Sequence, residues 1–346
     1  MTLNKVKVAI IGCGGIGRYH AGHLVNMEDV EVVAVADMVQ ERAVGFLEMF
    51  NTAKVFKNHT EVLENADTLG LNAVYICIPP YAHDEKSEIG FIEKGIALYI
   101  EKPMALDMKL ATKVRNKVYQ HNTVTSVGFQ LRYLSFLEEA KKFVKQYKPA
   151  TVYANRIGGL PGVPWFNFYS MSGGQLVEQN IHTVDMLRYL FGDVKRVYGV
   201  ANNAYIDMEN YDIDDNSVCL LTFKCGVTVS VNTACYIPPA KRTEGLDLHV
   251  EKSTPAPNYN HLMMISDKAV GQCNYFSSFK VWESTGQSYD YTDRSDCGVS
   301  ADRRFIDAVK ANDPTMVKSP YADAYKTLET VLAVNESFKT GKVIDI

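Results

Sequence analysis

The sequence predicts two domains: an α/β domain built on a parallel sheet, then an α+β domain with a large, mostly antiparallel open sheet. Three observations lead there. The chain has 346 residues, more than one ordinary core organises, since single cores stop growing near ~250–300 residues. From residue 5 to about 127, short β-branched runs alternate with longer segments of helical period, the pattern of parallel strands joined by crossover helices. Beyond a helical segment near 133–147, strand-like runs follow one another without helices between them, as in an antiparallel sheet. The domains are accordingly placed at 1–127 and 128–346.

In the first domain, strands are expected at Val6–Ile11, Val30–Ala36, Ala73–Ile78, Ala97–Ile100 and Val124–Val127. Helices are expected near 16–27, 39–50, 60–66, 82–95 and 107–121, the last opened by Asp107 as N-cap. In the second, strands are expected at 194–205, 214–224 and 227–236. Val218 to Phe223 is apolar on both parities, which predicts a strand covered on both faces, by a helix and a partner subunit or by a central position. Val227, Val229 and Val231 alternate with Thr228, Ser230 and Asn232, which predicts one buried face. Residues 237–260 have no clear period and are expected to be loop-rich, and helices near 299–311 and 320–340 close the chain.

Composition excludes several functions. With 47% hydrophobic and 22% charged residues and a net charge of -4, the chain lacks the cationic excess that a nucleic-acid partner requires. Its seven cysteines form no C-x-x-C pair, so reduced thiols and no metal site are expected. The first apolar run ends at Gly12, too soon for a signal-peptide core, and no stretch approaches the ~18 apolar residues of a membrane span. A cytoplasmic location with no membrane partner is the expectation.

Gly12-Cys13-Gly14-Gly15-Ile16-Gly17 directly follows the first strand and opens a helix, the context that a dinucleotide-binding turn needs. Gly12 permits the tight turn, Gly14 lets backbone N–H groups approach a pyrophosphate, and Gly17 allows close helix–strand packing, so that the helix N-terminus faces the anion. Asp37 ends the next strand, where a carboxylate accepts hydrogen bonds from ribose hydroxyls and repels a 2′-phosphate. A Rossmann domain binding NAD is expected, with NADP left open by Arg42 nearby.

Glu101-Lys102-Pro103 follows the strand Ala97–Ile100 at the carboxyl edge of the sheet, where open α/β folds place ligands; the proline fixes the backbone after Lys102 and is a candidate for a cis bond. Residues 173–185 are expected to form a glycine turn and one helix, with Glu178, His182 and Asp185 on one stripe. A carboxylate four residues from an imidazole can orient it and stabilise its protonated form, which suits a general base.

Together these segments resemble the Gfo/Idh/MocA family, which includes glucose-fructose oxidoreductase and inositol dehydrogenases. The resemblance rests on the Gly12–Gly17 turn with Asp37, Ile78-Pro79-Pro80-x-x-His83, Glu101-Lys102-Pro103, Gly128-Phe129-Gln130-Leu131-Arg132, and His182-x-x-Asp185-x-x-Arg188. It implies nicotinamide near Pro79, Pro80 and Lys102, with Gly12, Gly14, Gly15, Ile16, Gly17, Asp37, Ile78, His83, Glu101 and Gln130 as further cofactor residues. It also implies Lys102 and His182 as the catalytic pair, assisted by Glu178, a position where many members carry aspartate.

Tyr153, Asn155, Arg156, Trp165, Phe166, Asn167 and Tyr169 precede the His182 segment and offer amides, a guanidinium and flat aromatic faces, a mixture suited to polyols. Arg132, Arg156, Trp165 and Asn180 are candidate substrate contacts beside Lys102 and His182. The expected reaction moves a hydride between nicotinamide and a hydroxyl-bearing carbon of a sugar, inositol or related polyol. The alternative is an NAD-dependent glycosidase acting by transient oxidation and elimination; a non-catalytic dinucleotide sensor would not need both Lys102 and His182. A homodimer or homotetramer through the C-terminal sheet is expected. His20, His23 and His59 are expected to be structural or solvent-facing.

Overall fold

The computed structural model describes residues 5–204, 209–235, 260–275 and 277–346. Its first sheet uses the short apolar runs: β1 (Val6–Ile11), β2 (Val30–Ala36), β3 (Lys54–Phe56), β4 (Ala73–Ile76), β5 (Ala97–Ile100) and β6 (Thr125–Val127). The strand order is β3-β2-β1-β4-β5-β6, and every neighbouring pair is parallel. The chain therefore leaves β1 in one direction and returns on its other side at β4, which makes a switch point at the carboxyl ends of β1 and β4. Every residue of β4 and β5 is buried, as a parallel sheet covered on both faces requires. Tyr75 and Tyr99 stack with centroids 4.7 Å apart, and Phe305 meets each edge-on at 5.5 Å.

Phe305 comes from late in the chain. Contacts divide the protein into one unit of Met1–Tyr133 with Asp296–Leu328 and another of Leu134–Ser295 with Glu329–Ile346. A linear division at residue 127 assigns the helix Cys297–Ala311 to the second domain; its apolar face, including Phe305, Ile306 and Ala308, instead joins the first unit's core. Arg303 fastens it there through both oxygens of Asp29, at 2.8 and 3.1 Å.

Several elements are shorter or more broken than the periodicity predicts. The segment 39–50 is a helix at Gln40–Val44 continued by a 3-10 turn at Gly45–Glu48, and 60–66 belongs to two short helices, His59–Glu64 and Ala66–Leu69. The strand from Ala73 stops at Ile76. Asp107 caps the helix Met108–His121 as expected, accepting from Leu110 N at 2.9 Å.

The second unit contains β7 (Thr151–Ile157), β8 (Val194–Asn202), β9 (Asn216–Phe223), β10 (Thr228–Ala234), β11 (His261–Ile265), β12 (Ala269–Asn274), β13 (Ser278–Glu283), β14 (Ser288–Thr292) and β15 (Ile344–Asp345). They form one sheet ordered β14-β13-β12-β11-β7-β10-β9-β8-β15, antiparallel except for the β7–β10 pair. One face of β9 is covered within this chain, where Cys219, Leu221 and Phe223 are buried; Val218 and Leu220 on the other are 46% and 44% exposed, so a central position in the sheet does not by itself cover both faces. The expected loop at 237–260 lies, apart from residue 260, outside the described residues.

All seven cysteines are free thiols, and only Cys225 is exposed. Among the described residues, no helix is long and apolar enough to cross a membrane.

Candidate active site

In the first unit, strand register brings the candidate segments to one edge. Ile11 aligns with Ala36 and with Ile76, Ile76 with Ile100, and Ile100 with Val127. Gly12, Asp37, Cys77, Glu101 and Gly128 are the next residues out, so five segments distant in sequence leave the sheet together.

The glycine turn divides its work between packing and access. Gly12 has φ +92°, and a Cβ there would lie 2.3 Å from the Cys77 carbonyl oxygen; a Cβ on Gly17 would lie 1.9 Å from the Gly12 oxygen. Gly14 and Gly15 meet nothing within 4 Å. Gly14 is the N-cap of the helix Gly15–Leu24, which has no side-chain cap and no acidic residue in its first turn. Uncapped amides beside open space, at the positive end of a ten-residue helix, fit a dinucleotide pyrophosphate. Asp37 is fixed at the head of this turn, its Oδ2 accepting from Cys13 N and its Oδ1 from Val39 N, both at 2.8 Å. Each oxygen retains acceptor capacity for a ribose hydroxyl.

After β4, Ile78 and Pro79 lead into a 3-10 turn at Pro80–Ala82. His83 is buried, with its Nδ1 2.7 Å from Glu88 Oε1. The Lys102–Pro103 bond is cis, and Lys102 is half-buried. Gln130 Oε1 is buried with no hydrogen-bond partner among the described residues, an acceptor left for a ligand or water. Arg132 is instead engaged inside its own unit, donating to the Lys318 carbonyl at 2.7 Å and pairing with Asp323 at 2.6 Å.

Glu101 also turns inward. Its carboxylate is 6% exposed, receives His20 Nε2 at 3.1 Å and accepts from Lys102 N at 3.2 Å. On the other side of His20, Nδ1 lies 2.8 and 2.9 Å from the two oxygens of Asp302. Burial opposes a charged ring, but Asp302 and Glu101 outweigh it and lift His20 to about 10. His20 is thus buried rather than solvent-facing, and its charged partners were not legible in the sequence. A raised histidine stabilises the fold fully below its ordinary 6.5, and that contribution is lost as pH rises through about 10. We expect the melting temperature to fall across that upper range in the wild type and to fall less in His20→Gln, as followed by thermal scans; equal losses would contradict the assignment.

In the second unit, the single helix expected over 174–185 is broken. A short helix covers Gly174–Glu178 and another Ile181–Phe191. Glu178 and His182 therefore do not sit on one continuous helix. The physical reason lies at Asn180, which is fully buried and donates its side-chain amide to Thr233 Oγ1 on β10. Asn180 Oδ1 and Gln175 Oε1 are buried without hydrogen-bond partners among the described residues.

Arg156, on β7, is held below its ordinary range by burial, with Tyr275 and Glu178 partly restoring it. Trp165 lies in the 3-10 turn Pro164–Asn167. Tyr169 donates its hydroxyl to Asp214, and its ring occupies the space that a Cβ on Gly174 would need, 2.6 Å away. Asp214 and Tyr275 carried no local motif; only the paired Gly173-Gly174 hinted that a ring packs close.

A model of the NAD-binding Rossmann fold of an oxidoreductase family matches residues 6–129, and the GFO/IDH/MocA C-terminal domain matches residues 148–254. The chain belongs to the Gfo/Idh/MocA family. Membership makes it an NAD-dependent oxidoreductase. It is 28% identical over 239 residues to scyllo-inositol 2-dehydrogenase (NAD(+)) of Bacillus subtilis, covering 67% of this chain and 68% of that one. The structure of levoglucosan dehydrogenase with NADH and levoglucosan is similar at TM-score 0.82 and 18% identity, over 99% of both chains. The WlbA dehydrogenase of Bordetella pertussis, solved with NADH and UDP-GlcNAcA, gives TM-score 0.79 and 18% identity over 99% of both. These structural likenesses establish the family fold.

Proposed function

We propose that this chain transfers a hydride between NAD and a hydroxyl-bearing carbon of a sugar, inositol or related polyol, using Lys102 and His182 as its catalytic residues. The observation that carries this reading is the common sheet edge from which the glycine turn, Asp37 and Lys102 all emerge. A lysine at the cofactor edge of the sheet has a chemical use that a nucleotide-binding turn alone does not imply.

In this reading the amides of Gly14, Gly15 and Ile16 receive the pyrophosphate, Gly12 and Gly17 shape the turn, and Asp37 accepts from the ribose. Ile78, Pro79, Pro80 and Gln130 serve the nicotinamide side. Glu101 and His83, both held by buried partners, support this edge from within. Bound NAD supplies a hydride acceptor at the nicotinamide ring. Lys102 donates a hydrogen bond to the reacting oxygen and stabilises the negative charge that develops there. His182 takes the hydroxyl proton and returns it in the reverse direction. Glu178, Arg156, Trp165 and Asn180 meet the remaining hydroxyls, the free Oδ1 of Asn180 being an acceptor that a polyol satisfies. Arg132 is left out because Lys318 and Asp323 engage it. The polyol class gains support from the inositol and levoglucosan dehydrogenases that the chain resembles. Exposed Tyr198, Val200, Val218 and Leu220 support assembly of copies through the open sheet face.

Purified protein incubated with NAD or NADP and a panel of sugars, inositols and glycosides tests the reading, following both reduced cofactor and released products. Net reduction with a polyol is expected. Cleavage of a glycoside without accumulation of reduced cofactor would replace it with NAD-dependent glycoside cleavage. Asp37→Ser should raise the KM for NAD about 10- to 100-fold, the worth of hydrogen bonds to a charged group, and shift kcat/KM toward NADP. An unchanged ratio between the two cofactors would remove Asp37 from the ribose.

A further inference from the structure

We propose that His20 is a positioning residue for Lys102, acting through Glu101. This rests on the reading of Lys102 as the residue that meets the reacting oxygen.

Glu101 and Asp302 are 6% and 0% exposed, and buried carboxyl groups need hydrogen-bonding or charged partners to offset the loss of water. One ring, itself 1% exposed, stands between them, its two nitrogens each facing a carboxylate. Both nitrogens donate only when the imidazole is protonated. A protonated His20 therefore satisfies both acids at once. His23 adds a second contact to Asp302, Nδ1 to Oδ2 at 2.6 Å, and Tyr75 and Tyr99 close around the His20 ring at 5.3 and 4.8 Å between centroids.

Geometry carries the effect to Lys102. Glu101 precedes it by one peptide bond and accepts that residue's own N–H. The carboxylate fills the space that the missing side chain of Gly128 leaves, since a Cβ there would fall 2.3 Å from Oε1. With Oε1 held by His20 and Oε2 by the Lys102 amide, the backbone from which the Lys102 side chain departs is pinned to the helix Gly15–Leu24.

His20, His23 and Asp302 also form the kind of cluster that binds a metal, their ligand atoms lying within 4.8 Å of one another. The distances favour a proton. Two ligands about 2.1 Å from one tetrahedral ion stand roughly 3.4 Å apart, whereas these nitrogen–oxygen contacts are 2.6–2.9 Å, the length of charge-assisted hydrogen bonds.

Two conservative substitutions separate the links. His20→Gln places an amide nitrogen where Nε2 meets Glu101, and His20→Asn places one where Nδ1 meets Asp302. On the polyol that the panel identifies, His20→Asn should lower kcat about tenfold or more with KM for NAD within about twofold, and His20→Gln should recover kcat to within about threefold, since misplacement by ~1 Å costs up to ~100-fold. A second readout needs no turnover: acetic anhydride labelling of Lys102, quantified by mass spectrometry against exposed Lys148. Labelling of Lys102 should rise about threefold in His20→Asn and match the wild type in His20→Gln, as expected when only the first loses the Glu101 link.

Equal kcat in the two variants, or wild-type labelling of Lys102 in His20→Asn, overturns the proposal. Should either variant fail to fold, Glu101→Gln decides, because it fills the same seat without the charge: lowered kcat at near-wild-type melting temperature supports the proposal, and unchanged kcat and labelling overturn it. Full turnover in Lys102→Ala would defeat the underlying assignment instead. Loss of turnover there, combined with wild-type kcat in His20→Asn, defeats only the positioning role.

Discussion

Lys102→Ala is expected to lower kcat by roughly 10²- to 10³-fold, the loss seen when one donor to a developing oxyanion is removed. Affinity for NAD should change little, because the turn at Gly12–Gly17 and Asp37 lie on separate strand ends from Lys102. The loss should fall on kcat and kcat/KM together, the signature of an interaction made in the transition state. His182→Ala removes the proton acceptor and should cost about 10²- to 10⁴-fold. The double variant should be scarcely worse than the poorer single one, since groups that act in one step are not additive. Steady-state kinetics with fluorescence titration of NADH checks all three; additive losses would show that the two residues serve different steps.

Gly17→Ala is expected to have the largest effect on stability. Its Cβ would stand 1.9 Å from the Gly12 carbonyl oxygen, and backbone cannot move aside as a flexible side chain does. We expect a loss of about 3 kcal/mol or more, at the severe end of single substitutions, together with loss of NAD binding as the turn opens. Gly22 provides the control: it lies in the same helix and meets nothing within 4 Å. Gly22→Ala should therefore stabilise by about 0.5–1 kcal/mol through helix propensity alone. Urea unfolding of the two variants reads the contrast, and equal behaviour would mean that the turn tolerates a side chain.

The parts of the fold that were legible in sequence are those whose cause is local. β1, β2 and β5 match their predicted bounds because apolar residues fill nearly every position of these largely buried strands. The glycine turn was legible because its spacing is itself the geometric requirement. β3 was missed because three residues show no period, and β7 and β12 because Asn155, Arg156 and Gln272 interrupt the apolar runs. The break at Asn180 has neither glycine nor proline to announce it; a hydrogen bond to Thr233, 53 residues away, overrides the helical period. The charged network behind Lys102 joins residues 282 apart, and the second of its acids arrives on a helix that a linear division gives to the other domain. No local pattern carries such information.

The destination of one hydrogen decides between hydride transfer to NAD and the alternatives. A polyol from the panel should be prepared with deuterium on the carbon that is oxidised, and the reduced cofactor recovered for mass spectrometry. Labelled NADH should accumulate, one molecule for each carbonyl product, with a slowed kcat if transfer limits the rate. Deuterium found in water, or returned to the sugar without net NADH, would contradict the proposed reaction.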